Sequence, residues 1–320
     1  MSDAINFIPG ESSFSLPLLF FALLLIVGAF LWFRRRGKTG FYSATPVLDS
    51  FSRDLTEAAR EVKLDPVIGR KREINQLAVI LSRRTKNNCI LVGKAGVGKT
   101  AVAEGLAEQI VNEEVPFDLR NKRVLALDLN AVVAGTKYRG EFEARMKRLI
   151  EEIANSGRII ILFIDEIHNL LIMETTGETI SVGDILKPAM ARGDLQIIGA
   201  TTPMEYKKYF ENDPAFERRL QPLFINEPDE RETFEILKGI KGKYEEFHRV
   251  VIPDEILQLC IFQGKKILKD RSFPDKAIDL MDEAASNAKI AYARQIQAGI
   301  RVGTPQVSPN DVYAVAHKYS

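Results

Sequence analysis

Apolar residues fall into three kinds of run along this chain. The first is Phe14 to Phe33, twenty residues without a charge. A helix of that length rises about 30 Å, the thickness of a bilayer's hydrocarbon core. Pro17 falls in its first turn, where a missing N–H costs little. Trp32 and Phe33 close it with aromatic rings, as at a membrane interface. The run predicts one transmembrane helix over 14–33. The second kind is short and continuous, Cys89–Val92 and Ile159–Ile164, with Leu195–Ala200 as a third strand candidate. Such runs predict strands buried on both faces, as in a parallel sheet. The third repeats at spacings of three and four through Ala277, Ile278, Met281, Ala284, Ala285 and Ala288, which predicts a helix with one buried face. The expected organisation is a short tail (1–13), the span (14–33) and a basic stop and tether (34–50). An α/β domain (51–228) and a helical domain with a C-terminal segment (229–320) follow.

Charge orients the span. Asp3 and Glu11 precede it, and Arg34, Arg35, Arg36 and Lys38 follow it directly. The excess of basic residues predicts that the chain after the span lies in the cytoplasm. A cleaved signal would instead begin with basic residues and carry a shorter apolar stretch with a small-residue cleavage site. The expected localisation is therefore single-pass, with the α/β part on the cytoplasmic side. Lys+Arg is 44 and Asp+Glu is 43. That balance excludes a generally basic nucleic-acid coat, and no nucleic-acid partner is expected. Two cysteines, Cys89 and Cys260, are too few for a disulfide framework or a four-cysteine zinc site. Cys89, inside an apolar run, reads as a small buried hydrophobe.

The strand Cys89–Val92 leads into Gly93-Lys94-Ala95-Gly96-Val97-Gly98-Lys99-Thr100, and then into the helical pattern AVAEGLAEQIV. Strand, G-x-x-x-x-G-K-T, helix is the context a phosphate-binding loop requires. The glycines let backbone N–H groups curl around phosphate oxygens, and the helix N-terminus adds its partial positive charge. Lys99 is placed to reach the β- and γ-phosphates of ATP, and the Thr100 hydroxyl to bind Mg²⁺. The run Ile159–Ile164 delivers Asp165 and Glu166 at its carboxyl end, where open α/β sheets bind ligands. Asp165 is the candidate for the Mg²⁺ shell and Glu166 for polarising the attacking water. Leu195–Ala200 ends in Thr201-Thr202, whose hydroxyls suit the γ-phosphate edge. Phe216-Glu217-Arg218-Arg219-Leu220 carries an arginine pair. After such a core the pair reads as an arginine finger supplied to a neighbouring subunit.

From here the chain resembles the first ATPase module of the Clp-type AAA+ unfoldases. The resemblance runs through DLTEAAREVKLDPVIG, LVGKAGVGKTAVAEGLA, AGTKYRGEFEARMK, ILFIDEIHNL, ILKPAMARGDLQIIGATT, FERRLQP and FPDKAIDLMDEAAS, over about residues 51–290. It implies an α/β AAA+ P-loop parallel sheet with a small helical lid, here preceded by the transmembrane helix. It implies that Val67 and Ile68 flank the adenine, that Thr202 is the sensor on the fourth strand, and that Arg218 and Arg219 act in trans. Tyr138 would be the pore-loop aromatic that grips an unfolded polypeptide. Lys276 occupies the place of the lid sensor, where arginine is common in other AAA+ modules. The assembly that the resemblance implies is a homo-oligomeric ring, a hexamer, acting on protein substrates with ATP and Mg²⁺. In place of the family's adaptor domain stands the apolar span. The loop that docks the Clp peptidase belongs to a second module that this sequence does not include, so peptidase docking is not expected. The expected function is ATP-driven unfolding or remodelling of proteins at the membrane. The alternative is a nucleotide-switched assembly factor that threads nothing.

Overall fold

A computed structural model describes residues 45–135, 139–172, 182–300 and 303–319. Six strands form one sheet: β1 (Ser52–Asp54), β2 (Asn88–Val92), β3 (Arg123–Leu127), β4 (Ile160–Ile164), β5 (Ile197–Thr201) and β6 (Leu220–Phe224). Their spatial order is β1-β3-β4-β5-β2-β6, with only β1 antiparallel to its neighbour. Every residue of β2, β4 and β5 is buried, which is why these segments are apolar without alternation. Successive residues serve opposite faces. Ile160, Leu162 and Ile164 join one core with Met146, Leu149 and Ile153 of the helix Arg139–Asn155. Ile161 and Phe163 join the other, with Leu77, Leu106 and Ile110. Each such isoleucine or leucine contributes about 1.5–3 kcal/mol through burial.

The helices used here are α1 (Lys71–Leu81), α2 (Lys99–Val111), α3 (Arg139–Asn155), α4 (Val182–Arg192) and α5 (Pro203–Tyr209) against the sheet. Helices α6 (Glu230–His248), α7 (Asp254–Ile267), α8 (Asp275–Gln297) and α9 (Pro309–Lys318) form the lid. Asp229 starts α6 with a capping box to Glu232, so the lid begins sharply six residues after the last strand begins to turn away at Phe224. In α8, Ala277, Met281, Ala284, Ala285 and Ala288 are buried in the lid core.

All three strand runs differ at their boundaries, and β5 begins at Ile197 rather than Leu195 and ends at Thr201 rather than Ala200. Ile159 lies outside β4 and is 40% exposed. Asn88 begins β2 although it is polar, because its buried side-chain oxygen accepts the Ile197 N–H at 2.8 Å. Within the stretch expected as a tether, Pro46–Ser50 is a short helix with Leu48 fully buried. The Glu152 carboxylate accepts its Val47 and Leu48 N–H groups at 3.2 and 2.9 Å, supplying the cap that Thr45 does not.

The single-pass localisation requires correction. Among the described residues no helix is long and apolar enough to cross a membrane. The 23-residue α8 has the length but carries charges along its exposed side and buries its alanine face in the lid. The run 14–33 lies outside the described residues.

Candidate nucleotide site

The chain leaves β2 for β3 on one side and later returns to β6 on the other, so β2 sits at a topological switch. The loop Gly93–Gly98 leaves its carboxyl end and α2 begins at Lys99. Gly96 and Gly98 have φ of +77° and +91°, a left-handed backbone that glycine adopts at no steric cost. A cleft of about 420 Å³ opens between this loop and the lid, a volume suited to a nucleotide-sized ligand. Gly93 is packed too closely for any side chain: a Cβ there would lie 2.6 Å from the Ile225 carbonyl oxygen. Backbone cannot yield as a flexible side chain does. Gly93→Ala is expected to destabilise the fold by about 1–3 kcal/mol, read as a lower urea midpoint with unchanged slope.

Lys99 Nζ donates to the Gly93 and Lys94 carbonyl oxygens at 2.9 and 3.0 Å. Burial lowers its pKa, and the nearby charges of Asp165, Glu166 and Glu205 oppose that shift. Thr100 Oγ1 donates to Asp165 Oδ2 at 3.1 Å, joining the phosphate loop to the end of β4. These are hard oxygen donors. Among the described residues there is no group of three or more His, Cys, Asp or Glu arranged for a metal. One hydroxyl and one carboxylate fit Mg²⁺, which takes few protein ligands and fills its shell with phosphate oxygens and water.

Glu166 follows at φ +47°, a left-handed conformation that costs a non-glycine residue about 1–2 kcal/mol. Its N–H donates to Asp165 Oδ1 at 2.9 Å, and Asn169 Nδ2 donates to its Oε2 at 3.0 Å. These bonds turn the carboxylate out of the strand direction and hold it in the cleft wall, which Asp165 and Glu166 both line. Thr202 lines the cleft too, one residue beyond β5, where its hydroxyl caps α5 through the Glu205 N–H at 3.4 Å. The last strand residue, Thr201, is buried, with its hydroxyl 3.1 Å from His168 Nδ1. The His168 ring stacks on Tyr209, 6.5 Å between centroids.

Val67 and Ile68 lie opposite the loop, in the cleft wall. Val67 packs against α2 at Gly105 and Ile68 against α6 at Gly239, where Cβ atoms would come within 3.2 and 2.7 Å of them. The two residues thus wedge between sheet and lid. From the lid, Ile236, Ile240, Tyr244, Asp275 and Ile278 complete the cleft.

Arg218 and Arg219 are not part of this wall. They follow a short helix, Pro214–Glu217, capped by Asp213, with Arg218 exposed and Arg219 half-buried. Lys276 is also held elsewhere: buried, it donates to the Arg271 carbonyl at 3.0 Å, lies 3.5 Å from Glu227 and sits over the Phe273 ring. Asp275, one residue earlier, faces the phosphate loop instead, and its N–H donates to the Gly96 carbonyl at 3.4 Å. Tyr138 lies outside the described residues. Both cysteines are buried and their thiols are pushed up by burial, Cys260 to about 12; neither serves as a nucleophile. The residues that motif reading missed are Asn169, His168, Asp275 and Arg70, all of which act through contacts between distant segments or through hydrogen bonds that no motif encodes.

A phosphate loop on a switch-point strand, a Thr–Asp pair and a lid over the cleft define a P-loop nucleoside triphosphatase. The family model described as "ATPase family associated with various cellular activities (AAA)" matches residues 89–222, and the AAA lid domain model matches 229–301. The chain is 54% identical over 258 residues to the chaperone protein ClpB of Oceanobacillus iheyensis, covering 80% of this chain and 32% of that protein. It is 54% identical over 246 residues to ClpC/MecB of Bacillus subtilis, named a negative regulator of genetic competence, covering 77% and 30%. An S. cerevisiae Hsp104:casein complex superposes with a TM-score of 0.74 at 40% identity, over 86% of this chain and 45% of that one. An S. cerevisiae Hsp104–ADP complex gives 0.75 at 41%, over 84% and 44%. The chain therefore belongs to the Clp-type AAA+ ATPases, as their first module, and its class is that of ATP hydrolases. It spans about a third of the length of the curated relatives it matches. These relatives are named as a chaperone and a competence regulator. They overturn the expected membrane localisation.

Proposed function

We propose that this module binds ATP with Mg²⁺ in the cleft between sheet and lid and hydrolyses it within a homo-oligomeric ring, a hexamer, to unfold or remodel protein substrates. The observation that carries the chemistry is the contact of Thr100 with Asp165 at 3.1 Å, beside Glu166 and below Lys99. It gathers phosphate, metal and water chemistry at one strand edge.

In this reading the N–H groups of Gly93–Gly98 and the Lys99 ammonium hold the phosphate oxygens. Thr100 and Asp165 would hold Mg²⁺, which would supply positive charge against the phosphate oxygens. Glu166, held by Asn169, orients the attacking water and accepts its proton. Thr202 reports on the γ-phosphate from the edge of β5. Val67 and Ile68 flank the adenine and, being wedged against α6, pass its presence to the lid. Arg218, exposed, and Arg219, half-buried, both away from their own cleft, reach the site of an adjacent subunit.

Similarity to a structure with casein supports a polypeptide substrate, and Tyr138 is the residue proposed to grip it. Unfolded casein is expected to raise the ATP turnover of the chain several-fold, measured as phosphate release. Tyr138→Ala is expected to lose most of that rise. No response to casein in the unsubstituted chain would defeat the polypeptide reading in favour of a nucleotide-switched assembly factor.

A further inference from the structure

Arg70 precedes α1 and is buried, at 7% exposure, in the wall of the cleft. Its Nη2 donates to the Val97 carbonyl at 2.7 Å, inside the phosphate loop, and to the Asn226 carbonyl at 3.0 Å, in the crossing from β6 to the lid. Its Nη1 donates to Glu73 Oε1 at 3.2 Å. A buried guanidinium persists only where its donors are matched. Here one planar fork satisfies acceptors from three segments, which a lysine ammonium on a flexible stem cannot reproduce.

The Val97 carbonyl and the Gly98 N–H belong to one peptide plane and point in opposite directions. Drawing the carbonyl towards Arg70 turns the N–H to the other side of the loop. There successive N–H groups form an anion-binding concavity. Gly98, at φ +91°, has no Cβ to resist rotation of this peptide. The loop therefore does not lock the peptide by itself; the guanidinium does.

We propose that Arg70 is a positioning residue for phosphate binding. It fixes the Val97–Gly98 peptide with its N–H towards the phosphates and ties that peptide to the lid crossing at Asn226. The inference rests on the ATP-site reading above.

The test is Arg70→Lys in the full chain, with dissociation constants for ADP and for adenosine measured by calorimetry and ligand-observed NMR. ADP binding is expected to weaken about tenfold, the equivalent of one charge-assisted hydrogen bond. Adenosine binding is expected to stay within about twofold, because only phosphates meet the reoriented N–H. A merely structural arginine would lower the melting temperature and leave the ADP-to-adenosine affinity ratio unchanged, and that result overturns the proposal. ADP binding absent from the unsubstituted chain sinks the ATP-site reading and this inference together. ADP binding present there and unaltered by Arg70→Lys sinks only the role of Arg70. Should Arg70→Lys fail to fold, hydrogen exchange in the unsubstituted chain decides. ADP is expected to slow exchange at residues 226–229 together with the phosphate loop, and unaltered exchange at 226–229 overturns the tie.

Discussion

Glu166→Gln is expected to bind ATP with near-normal affinity and to hydrolyse it about 10²–10⁴ times more slowly, the usual contribution of a positioned general base. The amide keeps the size of the carboxylate and one oxygen for the Asn169 donor, so the left-handed turn at φ +47° survives. What it loses is the charge that, in the proposed mechanism, accepts a proton from water. Lys99→Ala separates binding from chemistry in the opposite sense, because the ammonium near the phosphates is removed while the carboxylates remain. Binding of a fluorescent ATP analogue and phosphate release, measured on the same preparations, check both. Normal turnover by Glu166→Gln would remove Glu166 from the mechanism.

The parts of this site written in consecutive residues were legible from the chain. Gly93 to Thr100 is contiguous, and its strand and helix flank it directly. The all-buried strands Asn88–Val92 and Ile160–Ile164 announce themselves because a parallel sheet covered on both faces needs no polar position. Contacts that join distant segments left no such trace. Glu152 caps a helix more than a hundred residues upstream. Arg70 reaches both Val97 and Asn226. Nothing in the neighbouring residues marks either as even partly buried, since burial of a charge depends on acceptors the sequence brings from elsewhere. Lys276 shows the same limit from the other side. Its position in the lid motif gave it a nucleotide role to consider, whereas the fold turns it onto Glu227 and the Phe273 ring and leaves Asp275 beside Gly96. The apolar run 14–33 had a length and composition that satisfy the rule for a span, yet the relatives matched contradict that localisation.

An Arg218→Ala/Arg219→Ala chain is expected to bind ATP normally and to lose about a thousandfold in turnover, within the range of a missing arginine finger. The two side chains stand beyond Phe216, which is buried in the sheet core, while neither lines its own cleft. In the proposed ring, their effect on hydrolysis is expected to cross to another subunit. Mixing makes that crossing visible. A Lys99→Ala chain has sound arginines and a disabled phosphate loop; the arginine-deficient chain has the reverse. In a mixed ring some interfaces pair a sound loop with sound arginines, so the mixture is expected to regain activity that neither parent shows. Mixed assembly is verified by co-purification through a tag on one parent. Arg218→Lys/Arg219→Lys serves as the conservative control: charge is retained but the planar fork is lost, and only partial recovery is expected. If mixed complexes form and stay as inactive as their parents, the arginine pair does not act in trans. Its role is then confined to the turn it occupies between the Asp213-capped helix and β6.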